Sequence, residues 1–310
     1  MSILSIAETK TRQGGQIFTA EISPPRLYGE IDQIIGIARR LRALGLDAIA
    51  VTNSTGGTYK FSPWAIVEDI QRAMGHVPLI IHLTARDEGS ARSVYYHLHE
   101  MSLKGVRDVL IIGGDPSPGD SKVLDSYRFT ASELVRLVDG YRRGTLIDGS
   151  ESEPLPNLDI FIAGHPEYPD SRLERHFRFL RRKIESGVNG IICNIVTEVD
   201  AFFRYRDQAE RAGVRVPMFP SLLPLTSVPR CVFLTEQLHI PVPPGVLETL
   251  GSQEKTARHT FSLEDLIDKL NRVIRGGAPG VNFNIVVPRD AEFVVEALHD
   301  FRGGASTAAV

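Results

Sequence analysis

With 35 Lys and Arg against 38 Asp and Glu, for a formal charge of −3 over 310 residues, the chain has no excess of positive charge to hold nucleic acid or an anionic membrane, and the partner to expect is a small molecule. At 42% hydrophobic and 24% charged residues, it can bury a sizeable core without disulfides or metal, and its two cysteines, Cys193 and Cys231, show no Cys/His metal spacing and read as buried thiols. The N-terminus has no basic segment, and no apolar run approaches the roughly 18 residues that cross a bilayer, so a cytoplasmic protein is expected.

Along the chain, short β-rich apolar runs alternate with longer stretches of helical period. Strands are predicted at 16–21, 47–52, 78–83, 108–112, 158–163, 190–194, 217–220 and 281–286. Helices are predicted at 30–45, 62–74, 88–104, 130–143, 170–187, 198–212, 228–239 and 290–301, with an extra pair within 243–276. Gly45, Gly75, Gly105, Gly187 and Gly213 each fall at or just past a helix end with a strand following, as C-caps of αβ turns do. Eight βα units without a change of composition predict a single (β/α)8 TIM barrel over 1–310. A doubly wound open sheet is the alternative, but it would want a G-x-G-x-x-G after the first strand, and none is there. The polar, Pro- and Gly-rich stretch 145–156 reads as a surface insertion, and 303–310 as a flexible tail.

In such a barrel the chemistry sits where the strands end. The predicted ends deliver Glu21 before Ser23-Pro24-Pro25, then Thr52 and Asn53, then His82, Thr84, Arg86 and Asp87. Gly113-Gly114-Asp115, His165-Pro166-Glu167, Asn194, Ser221 to Pro224 and Asn284 follow. Polar groups closing apolar strands around one rim point to a cavity that uses them. Each also has a plainer reading. Glu21 could be a solvated strand end, Asp115 a turn residue, and His82 a satisfied core histidine. Asn194 could equally cap the next helix. Arg181-Arg182-Lys183 could be a solvated basic face near a helix C-terminus.

Taken in order, Phe18 to Pro25 (FTAEISPP), His82 to Asp87 (HLTARD), Gly113 to Pro118 (GGDPSP), Ala163 to Glu167 (AGHPE), Leu180 to Gly187 (LRRKIESG) and Pro220 to Ser227 (PSLLPLTS) resemble the motif series of the methylenetetrahydrofolate reductase family. The resemblance spans about residues 15 to 300. It implies a barrel with non-covalent FAD across the strand C-termini, reducing 5,10-methylenetetrahydrofolate to 5-methyltetrahydrofolate with NADH or NADPH as donor. On this likeness Glu21 matches the general acid that protonates N10 of the folate, and Asp115 the carboxylate between pterin and flavin. Thr52, His82, Thr84, Gly113, Gly114, Asp115 and His165 match cofactor-binding positions, and Lys183 a basic residue that meets the FAD phosphates. Asn194 stands in place of a folate-binding glutamine, and Leu223, with Asp115, falls among the substrate-binding positions. A homo-oligomer is compatible with the family.

The chain also departs from the family pattern. It has Glu21-Ile22-Ser23-Pro24-Pro25 where Glu-Phe-Phe-Pro-Pro is common, and Gly113 where an arginine precedes Gly-Asp. His165-Pro166-Glu167-Tyr168-Pro169 is one residue shorter than Tyr-Pro-Glu-x-His-Pro. His176 and Phe179 replace polar residues that often touch FAD, and Ile195-Val196-Thr197 replace aromatics. Fewer charge-assisted contacts predict weaker FAD retention. The alternatives are a flavin-free one-carbon or pterin enzyme on the same barrel, and a non-catalytic subunit that binds pterin or flavin.

Overall fold

The computed structural model describes residues 1–75, 77–115, 128–155 and 157–307. Eight parallel strands close into a barrel in chain order: β1 (Ile17–Ile22), β2 (Ala48–Val51), β3 (Leu79–Thr84), β4 (Asp108–Ile112), β5 (Asp159–Gly164), β6 (Gly190–Ile195), β7 (Met218–Leu222) and β8 (Gly280–Ile285). The seam joins β1 to β8, with Glu21 level with Asn284. Helices α2 (Ile31–Ala43), α3 (Pro63–Met74), α4 (Ala91–Leu103), α5 (Ala131–Arg142), α6 (Asp170–Glu185), α7 (Val199–Arg211) and α8 (Val228–Glu236) follow the first seven strands in turn, after α1 (Ile3–Arg12). The extra pair expected before the last strand is α9 (Pro244–Ser252) and α10 (Lys255–Arg275), and α11 (Asp290–Thr307) closes the chain.

The period of two along each strand sorts side chains into two sets. Ile49, Val51, Leu79, Ile81, Val109, Ile111, Ile160, Ile162, Val281 and Phe283 point outward and pack with the helices in the main core. Ile17, Ala48, Ala50, Ile80, Leu110, Phe161, Ile192 and Phe219 form a second apolar cluster inside the barrel. Above it lies a polar rung in which Thr19 Oγ1 donates to Asn282 Oδ1 at 2.9 Å, and Asn282 Nδ2 donates to Ser221 Oγ at 3.0 Å. All three residues are buried, so each polar atom in the rung is matched rather than stranded. Both cysteines are free and buried, and the five punctuating glycines have φ between 71° and 101°, the positive φ that favours glycine there, although Gly75, with ψ of −166°, lies outside the left-handed helical region of a usual cap.

Most boundaries shift by one to three residues, among them the end of α8 at Glu236 rather than 239, and three differences have a clear physical cause. The opening ILSIAETKTR is a helix, α1, whose Ile3 and Ala7 are buried in the inner cluster. Both Asp108 carboxylate oxygens accept from the Ile3 N–H at 3.1 and 3.2 Å, and Lys10 meets Asp47 at 2.6 Å. Because Asp108 opens β4 and Asp47 immediately precedes β2, the helix lies across the N-terminal ends of the strands and closes the barrel there. Next, α4 begins at Ala91 rather than 88: the Ser90 hydroxyl caps the Ser93 N–H at 3.0 Å. Glu88 is drawn inward to accept from Ser93 Oγ and to bond His97 Nδ1. Finally, α11 continues past 301 to Thr307, and residues 308–310 of the expected tail lie outside the described residues. Within 145–156 a bridge joins Thr145 to Glu151 and Leu155 is buried, while Pro156 lies outside the described residues. Among the described residues no helix is long and apolar enough to cross a membrane.

Candidate active site

The inward positions that are apolar low in the barrel become polar at the C-terminal ends of the strands. Two adjoining cavities open there, of about 550 and 1140 Å³. Glu21, Asp115, His165 and Asn194 line both. His82, Gly113, Gly114 and Lys183 belong to the smaller, and Thr52 and Leu223 to the larger. Thr84 lines neither; it sits behind Gly114 as a support.

Glu21 ends the inward series of β1 with 19% of its side chain accessible. Loss of solvent pushes its carboxyl up to about 7, against smaller opposing effects from hydrogen bonds to Asn284 and Asn282 and from the charge of Lys60. His82 Nε2 lies 3.8 Å from Glu21 Oε2, too far for a hydrogen bond, and has no other partner among the described residues. Burial lowers the His82 pKa to about 3, so the ring is neutral at physiological pH. A carboxyl that titrates near neutrality beside a neutral imidazole can carry a proton in the range where catalysis runs. The reading of His82 as a satisfied core histidine does not hold, because its buried Nε2 is unsatisfied.

Asp115 follows two glycines at the end of β4. Its Oδ2 accepts from the Gly56 N–H at 3.0 Å, which ties the β4 loop to the β2 loop. Arg86, after β3, reaches the same turn: it donates to the Asp115 carbonyl at 2.7 Å and to the Ser54 carbonyl at 3.3 Å while forking onto Asp87. Arg86 therefore braces this rim from a neighbouring strand end, a role the sequence did not disclose. A Cβ at Gly113 would meet nothing, whereas at Gly114, with φ of 91°, it would overlap the Thr84 methyl and press on Arg86 Cβ at 3.0 Å. Thr84 is fully buried and its hydroxyl has no partner among the described residues. Pro116, Ser117 and Pro118 of the GGDPSP motif lie outside the described residues. Thr52 bonds Ser23 Oγ at 2.9 Å, joining the β1 and β2 loops.

On the opposite wall, His165 Nδ1 meets Glu167 Oε1 at 2.8 Å, and Asn194 Nδ2 donates to the same oxygen at 2.9 Å. Asn194 Oδ1 accepts from the Ile195 N–H, while α7 takes Glu198 as its N-cap, so Asn194 is a cavity residue and not the helix cap. Tyr168 stacks on His165 at 4.6 Å and 7°. Tyr205, reaching in from α7, accepts from the His165 N–H at 3.2 Å and bonds His176 Nε2 at 2.8 Å. Burial brings the His176 pKa down to about 3, so the ring that meets the Tyr205 hydroxyl is neutral. Tyr205 lies in a helix where only three-dimensional packing could have revealed it. Arg181 and Arg182 are exposed, as a solvated face would be, but Lys183 is partly buried at the smaller cavity. Desolvation lowers the Lys183 pKa, and no carboxylate among the described residues pairs with it.

A barrel closed at one end, with a neutral-range acid, an anchored carboxylate and an unpaired lysine around one cleft at the other, has the layout of an enzyme acting on a small molecule. The sequence profile of the methylenetetrahydrofolate reductase family matches residues 6–293, and the chain belongs to that family. It is 21% identical over 274 residues to the probable methylenetetrahydrofolate reductase (NADPH) of Caenorhabditis elegans, covering 86% of this chain and 40% of that protein. It is 22% identical to methylenetetrahydrofolate reductase 1 of Schizosaccharomyces pombe, covering 91% of this chain and 45% of that one. The chain thus spans less than half the length of these relatives. Against the 5,10-methylenetetrahydrofolate reductase of Escherichia coli it is 24% identical over 90% of this chain and 88% of the other. Among solved structures, the EDTA monooxygenase EmoA of Chelativorans sp. BNC1 superposes with a TM-score of 0.56 at 13% identity, covering 92% and 93% of the two chains. An F420-dependent secondary alcohol dehydrogenase does so at 0.55 and 11%, covering 91% and 98%. At such identities these two likenesses concern the fold alone.

Proposed function

We propose that the chain catalyses flavin-dependent reduction of 5,10-methylenetetrahydrofolate to 5-methyltetrahydrofolate, with NADH or NADPH as electron donor. The observation that carries this reading is the Glu21 carboxyl, held at about 7 on the wall common to both cavities. Relatives named for NADPH in C. elegans and for NADH in Arabidopsis thaliana support a nicotinamide donor without choosing between the two.

The smaller cavity suits FAD on three grounds. Gly113, with open space where a Cβ would stand, leaves room for a planar ring against the β4 turn. The buried His82 Nε2 lacks a partner, which a ring heteroatom would supply. Lys183 is a cation without a counter-ion among the described residues at the same wall, placed for a phosphate. When bound, FAD would supply the hydride relay between nicotinamide and folate. Contacts on the α6 side are sparse: His176 Nε2 is already committed to Tyr205, and Phe179 offers no polar group. This supports purification with the flavin below full occupancy.

The remaining steps belong to the chain's own groups. Glu21, protonated in a substantial fraction near pH 7, gives its proton to N10 of the folate, which opens the five-membered ring to a reactive iminium. Asp115, anchored by the Gly56 N–H, sets a carboxylate where that positive charge develops. Asn194, held by Glu167, offers its amide to the pterin, and Leu223 gives the larger cavity an apolar surface. Because His82 is neutral, it adds no positive charge that would lower the Glu21 pKa and discharge the acid before the folate is in place.

An absorption spectrum of the purified protein, with and without added FAD, followed by folate-dependent oxidation of NADH or NADPH, tests the proposal. Flavin bands with turnover support it. Turnover without flavin moves the reading to a flavin-free pterin enzyme, and flavin or pterin binding without turnover to a non-catalytic subunit.

A further inference from the structure

A separate cavity of about 300 Å³ shares no lining residue with either cavity of the cleft. Its walls bring together Lys255, Arg258 and His259 from the start of α10 with Arg289 and Phe293 from the start of α11. Three full cations and a histidine thus face one small space, and no acidic residue lines it. Among the described residues, none of the three cations has a carboxylate partner.

Two atoms make this more than a basic surface. Among the described residues Arg258 Nε and His259 Nδ1 are both buried and without a hydrogen-bond partner, although the other ring nitrogen of His259, Nε2, lies 3.7 Å from Glu296 Oε2. Buried polar atoms are matched in the great majority of cases, and an unmatched guanidinium N–H is costly because it has given up water for nothing. One side of the cavity is packed, while Lys255 and Arg289 are exposed. Phe293 is buried, the His259 ring packs on it at 4.6 Å, and the Arg289 guanidinium lies 6.0 Å from the same ring. Like charges held together by such packing repel one another until an anion comes between them.

We propose that this cavity binds a compact polyanion, bearing a phosphate or clustered carboxylates, at a site distinct from the reaction cleft. Guanidinium groups take both kinds of oxygen in paired hydrogen bonds, so the shared chemistry is a multiply charged oxyanion. The volume, at the lower end of the range for small-ligand cavities, limits the ligand to a small molecule.

Isothermal titration calorimetry on the intact protein at low ionic strength, with citrate in one arm and inorganic phosphate in the other, tests the site. Sodium chloride serves as the screening control. Saturable one-site heat is expected in at least one arm, the stronger arm naming the carboxylate or phosphate source. Arg258→Gln and Arg289→Gln should each weaken binding at least about tenfold, and the double variant should abolish it. Lys255 is exposed, so Lys255→Gln carries the same test should Arg258→Gln fold poorly. No heat with either anion, or unchanged affinity in the variants, overturns the proposal. The titration needs neither flavin nor folate, so its failure would leave the reductase reading where it stands.

Discussion

Glu21→Gln separates the acid's chemistry from its cost to the fold. In the folded chain the carboxyl titrates near 7, against an ordinary value of 4.5. The gap means that the native state holds the proton more tightly than the unfolded chain. The sign follows: below pH 4.5 the group is protonated in both states and costs nothing, the cost grows as pH rises from 4.5 to 7, and it stays constant above. Its full size is about 3 kcal/mol, of which about 2 to 3 kcal/mol develops between pH 5 and pH 8. His82, neutral in the folded state throughout that interval, contributes the same pH slope to both proteins and drops out of the comparison. Urea unfolding of the flavin-free wild type and Glu21→Gln at pH 5 and pH 8 should therefore show the wild type losing about 2 to 3 kcal/mol relative to the variant on going to pH 8. The same variant should slow folate-driven flavin reoxidation at least about a hundredfold in stopped flow, while reduction of the flavin by the donor is much less affected. Parallel stability profiles for the two proteins would falsify the raised carboxyl, and near-normal folate turnover would remove Glu21 from the mechanism.

Asp115→Asn keeps an oxygen to accept from the Gly56 N–H but removes the charge; folate reduction should fall about a hundredfold while donor-driven flavin reduction persists, and equal loss in both half-reactions would make Asp115 a binding or folding residue. Gly114→Ala places a Cβ against Thr84 at a left-handed φ, and should cost at least about 2 kcal/mol in unfolding experiments and lower flavin uptake; a neutral result would show that the turn relaxes easily. Lys183→Ala should weaken FAD about tenfold or more in calorimetry on the apo protein, and an unchanged affinity would return that lysine to the solvated face it shares with Arg181 and Arg182.

Much of the architecture could be read from the sequence because its signals are local. Apolar runs of four to six residues, each followed by a helical period and five of them by a glycine near the helix end, recur often enough to make a closed barrel the simplest arrangement. Strand ends were legible for the same reason: the inward residue after an apolar pair is Glu21, His82 or Asn194, and the two-residue period carries it to the cavity. What was hidden depends on partners distant in sequence. The helix at Ile3–Arg12 presents two buried residues and is fixed by Asp108, 105 positions from Ile3. Nothing in the first twelve residues announces that partner. Tyr205 was missed likewise, and Arg86 was placed at a strand end without its bracing role, since their hydroxyl or guanidinium contacts lie 29 to 40 residues away. Asn282 was missed because one alternating position on β8 looks like another until Thr19 and Ser221 are seen beside it.

The helix across the strand N-termini has a consequence for traffic. Beneath Glu21 lie the Thr19–Asn282–Ser221 rung and then a packed apolar floor, with Ile3 and Ala7 sealing it from below. If Glu21 gives up a proton as proposed, the apolar floor offers it no polar path back among the described residues, and the open side is the mouth that admits the substrates. Whatever molecule fills the mouth then sets when the acid can be recharged. On the proposed mechanism, departure of product would then come before restoration of the proton.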